Sequence, residues 1–209
     1  MPTLKLDRKG HWETVYSTKD ARETSWNQED PACSLAMIER SGVRVEEPVI
    51  DVGGGASVLV DRLLAAGFSD LTVLDIARAA LEQAKRRLGE RASRVEWIET
   101  DITSFQARRR YHLWHDRAVF HFLTAGEDRE AYKKCLNDAL ENGGTLVLAA
   151  FALTGPERCS GLEIRRYDAE HLQHELGRGF ELQEMVDERH TTPAGRIQDF
   201  TFYRFLKVA

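Results

Sequence analysis

Val49-Ile50-Asp51-Val52-Gly53-Gly54-Gly55 carries an apolar strand through one acidic residue into a glycine turn, and Asp75 closes a second apolar run twenty positions after Gly55. A Val- and Ile-rich strand delivers the chain to the end of a sheet. Glycines there let the backbone lie close to a ligand, and the helix that follows offers unpaired N–H groups. A carboxylate at the end of the next strand can then accept hydrogen bonds from a ribose. The pairing therefore points to a nucleotide ligand.

Spacing narrows the choice. A dinucleotide fingerprint requires a third Gly or Ala three residues after the second glycine, so that helix and strand pack closely under a pyrophosphate. Val58 stands at that position, and its branched side chain argues against a nicotinamide dinucleotide. Asp51, two residues before Gly53, would also repel a diphosphate and suits a ligand with a cationic end.

The elements around the turn alternate. Ser57–Ala66 and Ala77–Leu88 place apolar residues at helical spacing and stop at Gly67 and Gly89. Leu71–Asp75, Val95–Glu99, Tyr111–Trp114 and Thr145–Phe151 read as buried strands, and Arg129–Leu140 as a helix ended by Asn142-Gly143-Gly144. Asp168 caps a helix through Leu176. Phe180–Arg189 and Ile197–Val208, joined by a short turn around Pro193 and Gly195, form an antiparallel pair. This order predicts an α/β fold: a mostly parallel seven-stranded sheet with helices on both faces and a C-terminal antiparallel hairpin. Two further helices, His11–Lys19 and Pro31–Ser41, precede the first strand, and Trp12, Tyr16 and Trp26 on this segment suggest an aromatic lid over residues 1–45.

Composition fits one domain over residues 1–209, with 42% apolar residues and a net charge of −5. The longest apolar run, Leu146–Leu153, has eight residues, against the roughly 20 a membrane-spanning helix needs. The first ten residues hold no apolar core for export, so a cytoplasmic, membrane-free protein is expected. Basic residues cluster only at Lys85-Arg86-Arg87 and Arg108-Arg109-Arg110, which does not make the continuous basic surface a nucleic acid requires. Cys33, Cys135 and Cys159 are too scattered for a disulfide framework or a zinc site. Nothing separates a monomer from a homodimer.

Ligands of open α/β sheets sit beyond the carboxyl ends of the strands. Asp75-Ile76 and Asp101-Ile102 occupy such ends, although Asp101 can also simply cap a turn before Phe105. Trp114-His115-Asp116-Arg117-Ala118-Val119-Phe120-His121-Phe122 leaves the fourth strand, with Asp116 placed to cap a short helix that would align Arg117 and His121 at i and i+4. His115 and His121 are the candidate proton acceptors, since imidazole titrates near neutrality. His112, His115 and His121 raise the question of a metal, but no Cys or carboxylate pattern completes a site, and strand alternation turns His112 away from His115. Past the fifth strand, Cys159 lies on a loop, and Arg165 and Arg166 are placed to bind an anion or to pair with Glu163 and Asp168.

Asp51-x-Gly53-x-Gly55 with Asp75 resembles the first two motifs of class I S-adenosylmethionine (SAM) methyltransferases. His11-Trp12-Glu13, Ser25-Trp26 and Trp114–Arg117 also resemble elements of a small bacterial branch of that family. The resemblance covers roughly residues 10–209 and implies a Rossmann-like fold with SAM as cofactor and S-adenosylhomocysteine (SAH) as product. It further implies that Asp51, Gly53 and Gly55 face the amino-acid end of SAM and Asp75 the ribose. Ile76, Asp101 and Ile102 would hold adenine, with Trp26 and His115 as further cofactor contacts. A related branch methylates protein lysines with an acidic residue where this chain has His121, which favours a small acceptor instead: a thiol, another chalcogen or metalloid compound, or an amine or carboxylate metabolite. A carboxylate stabilises an ammonium through charge, and imidazole does so poorly. The other readings left open are a nicotinamide-dependent oxidoreductase and a SAM-binding module without activity.

Overall fold

The computed structural model describes residues 7–208. Most of the first ten residues, read above for an export signal, and Ala209 lie outside that range. Helices α1 (Arg8–Thr18) and α2 (Ala32–Arg40) precede β1 (Val49–Val52), α3 (Leu59–Ala65), β2 (Leu71–Asp75), α4 (Arg78–Leu88) and β3 (Val95–Glu99). Then come β4 (Tyr111–Arg117), α5 (Gly126–Ala139) and β5 (Leu140–Phe151). A small ribbon of β6 (Arg158–Cys159) and β7 (Leu162–Glu163) leads to α6 (Ala169–Leu176), β8 (Phe180–Thr191) and β9 (Ile197–Lys207).

Seven strands form one sheet in the order β3-β2-β1-β4-β5-β9-β8. The first five run parallel, β9 pairs antiparallel with β5, and β8 pairs antiparallel with β9. Period-two alternation divides the core. Ile50, Val52, Leu146 and Leu148 face Tyr132 and Leu136 of α5 and Leu172 of α6. Val49, Val147, Ala149 and Phe151 share the opposite core with Met37 of α2, Leu63 of α3 and Leu81 of α4. A strand buried on both faces needs a continuous apolar run, and all four residues of β1 are buried, Asp51 included. Each fully buried aliphatic side chain contributes about 1.5–3 kcal/mol.

Among the boundaries that differ from the sequence reading, three have a local cause or consequence. α3 starts at Leu59 rather than Ser57, because the Ser57 hydroxyl accepts from the Leu59 N–H at 3.1 Å and ends the turn. β4 continues to Arg117, paired on both sides through Val52↔Asp116 and Arg117↔Ala149. Asp116 therefore lies within the strand, and its carboxylate caps the short turn Phe120–Phe122 from there. β5 begins at Leu140 with Asn142-Gly143-Gly144 inside it, and the ladder shifts register between Tyr111 and Leu113. At Gly144 a Cβ would stand 2.9 Å from the Glu141 carbonyl oxygen and 3.0 Å from that of His112. Only glycine fits that approach.

Candidate active site

Strand order reverses at β1, whose neighbours are β2 and β4, and the crevice of such a sheet opens at the carboxyl ends of these strands. A cleft with an empty volume of about 800 Å³, its mouth included, lies there. Its floor is Val52, Gly53 and Leu74, one wall is Asp75 to Ile76 with Asp101 and Ile102, and its roof is Trp12, Tyr16 and Trp26. A smaller cavity lined by Ser34, Asp51, Gly54 and His115 adjoins it, and both are lined by Gly53, Tyr16, Trp26 and Arg117.

The glycine turn is set by close packing. Gly53 adopts φ +69°, and a side chain there would overlap Val119. At Gly54 it would overlap the Asp51 carboxylate, and at Gly55 that of Asp75. Asp51 Oδ1 lies 2.7 Å from Nδ1 of His115, whose Nε2 lies 2.9 Å from the Ser34 hydroxyl. A carboxylate only accepts, so Nδ1 carries a proton toward Asp51, and the Ser34 hydroxyl engages Nε2. All three residues are buried. Asp51 Oδ2 is buried without a partner.

Asp75 is buried, and Oδ1 accepts from the Ala77 N–H at 2.8 Å. Burial pushes its carboxyl up to about 7; the Ala77 N–H opposes the rise and the neighbouring Asp51 adds to it. Asp101 does cap the turn Ile102–Ser104, accepting from the Thr103 N–H at 2.9 Å. Its other oxygen receives Nη2 of Arg8 at 2.9 Å, and Nη1 of Arg8 reaches Asp128 at 2.8 Å. The alternative reading of Asp101 as a turn cap is thus realised while the residue still lines the cleft. Glu13 of α1 accepts from the Ala79 N–H in the first turn of α4 at 3.2 Å. Trp26 Nε1 donates to the Tyr16 hydroxyl at 3.0 Å, and Trp12 packs edge-on against Trp26 and Phe122 at 5.5 and 5.0 Å.

Beyond β4, Ala118 takes φ +72°, a conformation that costs a non-glycine residue of order 1 kcal/mol or more. Asp116 holds it: Oδ1 accepts from the Val119 N–H at 2.9 Å, and Oδ2 accepts from the Tyr132 hydroxyl at 2.7 Å. Burial raises the Asp116 carboxyl to about 6. The strained turn presents Ala118 and Val119 to the cleft but turns His121 inward. His121 is fully buried, stacked on Phe151 at 4.8 Å, with both ring nitrogens unpartnered. Burial, with help from Arg117, pulls its pKa down to about 3. His121 therefore does not meet the cleft as the expected proton acceptor, because the 3-10 turn Phe120–Phe122 places Phe122 there instead. The expected Arg117–His121 alignment on a helix is likewise absent, since Arg117 belongs to the strand. His115 lines the smaller cavity, but neither of its nitrogens is free to take a proton from a ligand.

These residues suit SAM on two structural grounds. The unpartnered Asp51 oxygen can receive an ammonium, and the side-chain-free surface at Gly53 leaves the floor open to backbone approach. Residues 50–146 match the family described as "Methyltransferase domain". That stretch runs from β1 into β5 and contains the glycine turn, Asp75 and Asp101. Among solved structures, a SAM-dependent methyltransferase from Anabaena variabilis superposes with a TM-score of 0.75 at 15% identity, covering 97% of this chain and 96% of that one. The glycopeptide N-methyltransferase MtfA complexed with SAM gives 0.67 at 16% identity over 88% and 96%. The human protein EEF1A lysine methyltransferase 2 is 22% identical over 91% of this chain and 81% of its own length.

The site also contains residues that sequence reasoning did not single out. Arg8 had no signal beyond its place one turn before Trp12. Ser34 lies on α2, remote in sequence from its partner His115. Arg165 and Arg166 are turned to Glu175 and Glu157 at 3.9 and 3.0 Å and do not line the cleft. Cys159 does line it, with its thiol pushed up to about 11 by burial. Among the described residues no group of three or more His, Cys, Asp or Glu side chains is placed to hold a metal, and no helix is long and apolar enough to cross a membrane.

Proposed function

We propose that this chain is a class I SAM-dependent methyltransferase that methylates a small-molecule acceptor in the cytosol, under a lid formed by residues 7–45. The observation that carries the reading is the row of Asp51, Asp75 and Asp101 at the ends of three adjacent strands, beside the glycine floor and beneath an aromatic roof. In this reading Asp51 and Gly53 hold the amino-acid end of SAM, with Gly55 shaping the turn. Asp75 holds the ribose, and Ile76, Asp101 and Ile102 enclose the adenine, with Trp26 above. SAM supplies a methyl carbon already bonded to a sulfonium leaving group, so the chemistry needs little acid–base help.

What the chain supplies is position and dryness. Trp12, Tyr16 and Trp26 exclude water, Arg8 ties α1 to Asp101 and Asp128, and Glu13 ties it to α4. His115 acts by fixing the orientation of Asp51 rather than by moving a proton. The largely apolar cleft, roofed by three aromatic rings, favours a small acceptor over an extended one.

A second reading, methylation of a protein lysine, is favoured by the likeness to EEF1A lysine methyltransferase 2. The deciding experiment is calorimetric titration with SAH and, separately, NADH, followed by a methyl-transfer screen of thiols, selenols, amines, carboxylic acids and lysine peptides. SAH binding with a methylated small product supports the proposal. NADH binding would return the dinucleotide reading, SAH binding without any product would leave a non-catalytic module, and methylated peptide alone would favour the lysine branch.

A further inference from the structure

Arg117 stands at the junction of the two cavities and lines both. Its side chain is only 11% exposed, and its guanidinium lies over the Phe200 ring at 4.8 Å. One nitrogen, Nη1, donates to the Trp26 carbonyl at 2.9 Å. The remaining donors, on Nε and Nη2, are buried and unpartnered. The nearest carboxylate, Glu188, is 3.7 Å from Nη2, beyond hydrogen-bond reach, and both its oxygens accept from Gln28 at 3.1 Å. A guanidinium is charged at any working pH, and leaving its buried donors unmade carries their full desolvation cost. The edge formed by Nε and Nη2 matches the fork a carboxylate accepts.

A second feature leads to the same place. A groove between the N-terminal segment, the β6–β7 ribbon and the β8–β9 turn shares Trp26 and Cys159 with the lining of the main cleft. Lys19, Arg158 and Arg196 line this groove against one acid, Glu23. A passage of that charge attracts anions. Inside, Glu188 at 3.7 Å offsets part of the guanidinium charge but leaves the Nε and Nη2 donors unmade, and an anion on that edge would also shield the guanidinium from a cationic sulfonium.

We infer that the acceptor is a small carboxylate-bearing molecule, admitted through this groove and held by the free edge of Arg117. The inference rests on the methyltransferase reading for the acceptor's role, but not for the existence of the carboxylate site. It also makes an ammonium acceptor the least suited.

The test is calorimetric titration of phenylacetate, phenylacetamide and 2-phenylethylamine into the full chain, with and without saturating SAH. The three molecules share one shape and carry a carboxylate, a neutral amide and an ammonium. Phenylacetate should bind at least tenfold more tightly than the amide, and the amine most weakly. Arg117→Gln should level carboxylate and amide while SAH affinity changes less than threefold. Arg117→Lys, which keeps the charge and loses the fork, should retain part of the preference and serves if the Gln variant does not fold. Equal binding of the three, binding of none, or a preference that survives in Arg117→Gln would overturn the inference. So would loss of SAH affinity in that variant, which would assign Arg117 to the cofactor's own carboxylate. If wild type bound phenylacetate in an arginine-dependent way but bound no SAH, the methyltransferase reading would fail and the carboxylate site would stand.

Discussion

His115 and His121 lie six residues apart on one segment and live in opposite surroundings. His115 sits between a carboxylate and a hydroxyl with both nitrogens engaged, within the polar wall of the smaller cavity. His121 sits among Phe122, Phe151 and Phe200 with neither nitrogen engaged. One ring orients a buried carboxylate, and the other fills volume. The residue type is the same, so the difference comes from what the turn at Ala118 does to the chain between them. Up to Asp116 the ladder fixes side chains by alternation, and beyond it the positive φ of Ala118 reverses the direction in which they point. Imidazole near an expected reaction centre is therefore no guide to a base unless its nitrogens are free and reach the ligand.

The comparison is broken most severely at His115. Replacing it by Ala leaves the buried Asp51 carboxylate with no donor on either oxygen, and should lower unfolding free energy by about 3 kcal/mol in urea denaturation while weakening SAH binding. A stability loss under about 1 kcal/mol would show that the triad of Asp51, His115 and Ser34 is not a unit. Asp75→Ala should be milder for folding and should cost about 1–3 kcal/mol of SAH affinity by calorimetry, through the lost ribose hydrogen bonds.

The same residue predicts a pH dependence. Ribose hydroxyls donate to an ionised carboxylate, so the ligand favours the deprotonated Asp75, whose carboxyl burial has raised to about 7. Binding then releases a proton below that pH. SAH affinity should rise as pH climbs from about 5.5 to about 7, by at most about tenfold per unit, and level off above. Titrations in buffers of different ionisation enthalpy would count the proton, and a flat profile would remove Asp75 from the ribose site.

The sheet and the glycine turn with Asp75 beside it were legible because both are written in short-range code. Val49–Val52, Leu71–Asp75 and the terminal hairpin carry their period and their turns within a few residues, and Gly53 and Gly55 fall at the one place where a side chain overlaps Val119 or Asp75. What the sequence hid is held by long-range pairs. Arg8 meets Asp101 across 93 positions, Ser34 meets His115 across 81, and Glu13 meets Ala79 across 66. No local pattern marks such partners. Asp116 misled for a different reason, since its carboxylate performs the capping expected of a helix from inside a strand, and Tyr132, far along α5, is what makes that burial tolerable.

The sharpest test of the two histidines is the smallest in effect. His121 has two buried ring nitrogens without partners, each a cost that an apolar ring of similar shape does not carry. Its ring already stacks on Phe151, and its lowered pKa of about 3 keeps it neutral throughout the working range. His121→Phe should therefore change stability by less than about 1 kcal/mol, in either direction, and leave SAH affinity and turnover within twofold of wild type. The corresponding His115→Phe should fail on all three counts, because a phenyl ring offers Asp51 no donor. Equal damage from the two substitutions would mean that His121 swings into the cleft when acceptor binds, and its role as a proton acceptor would then return.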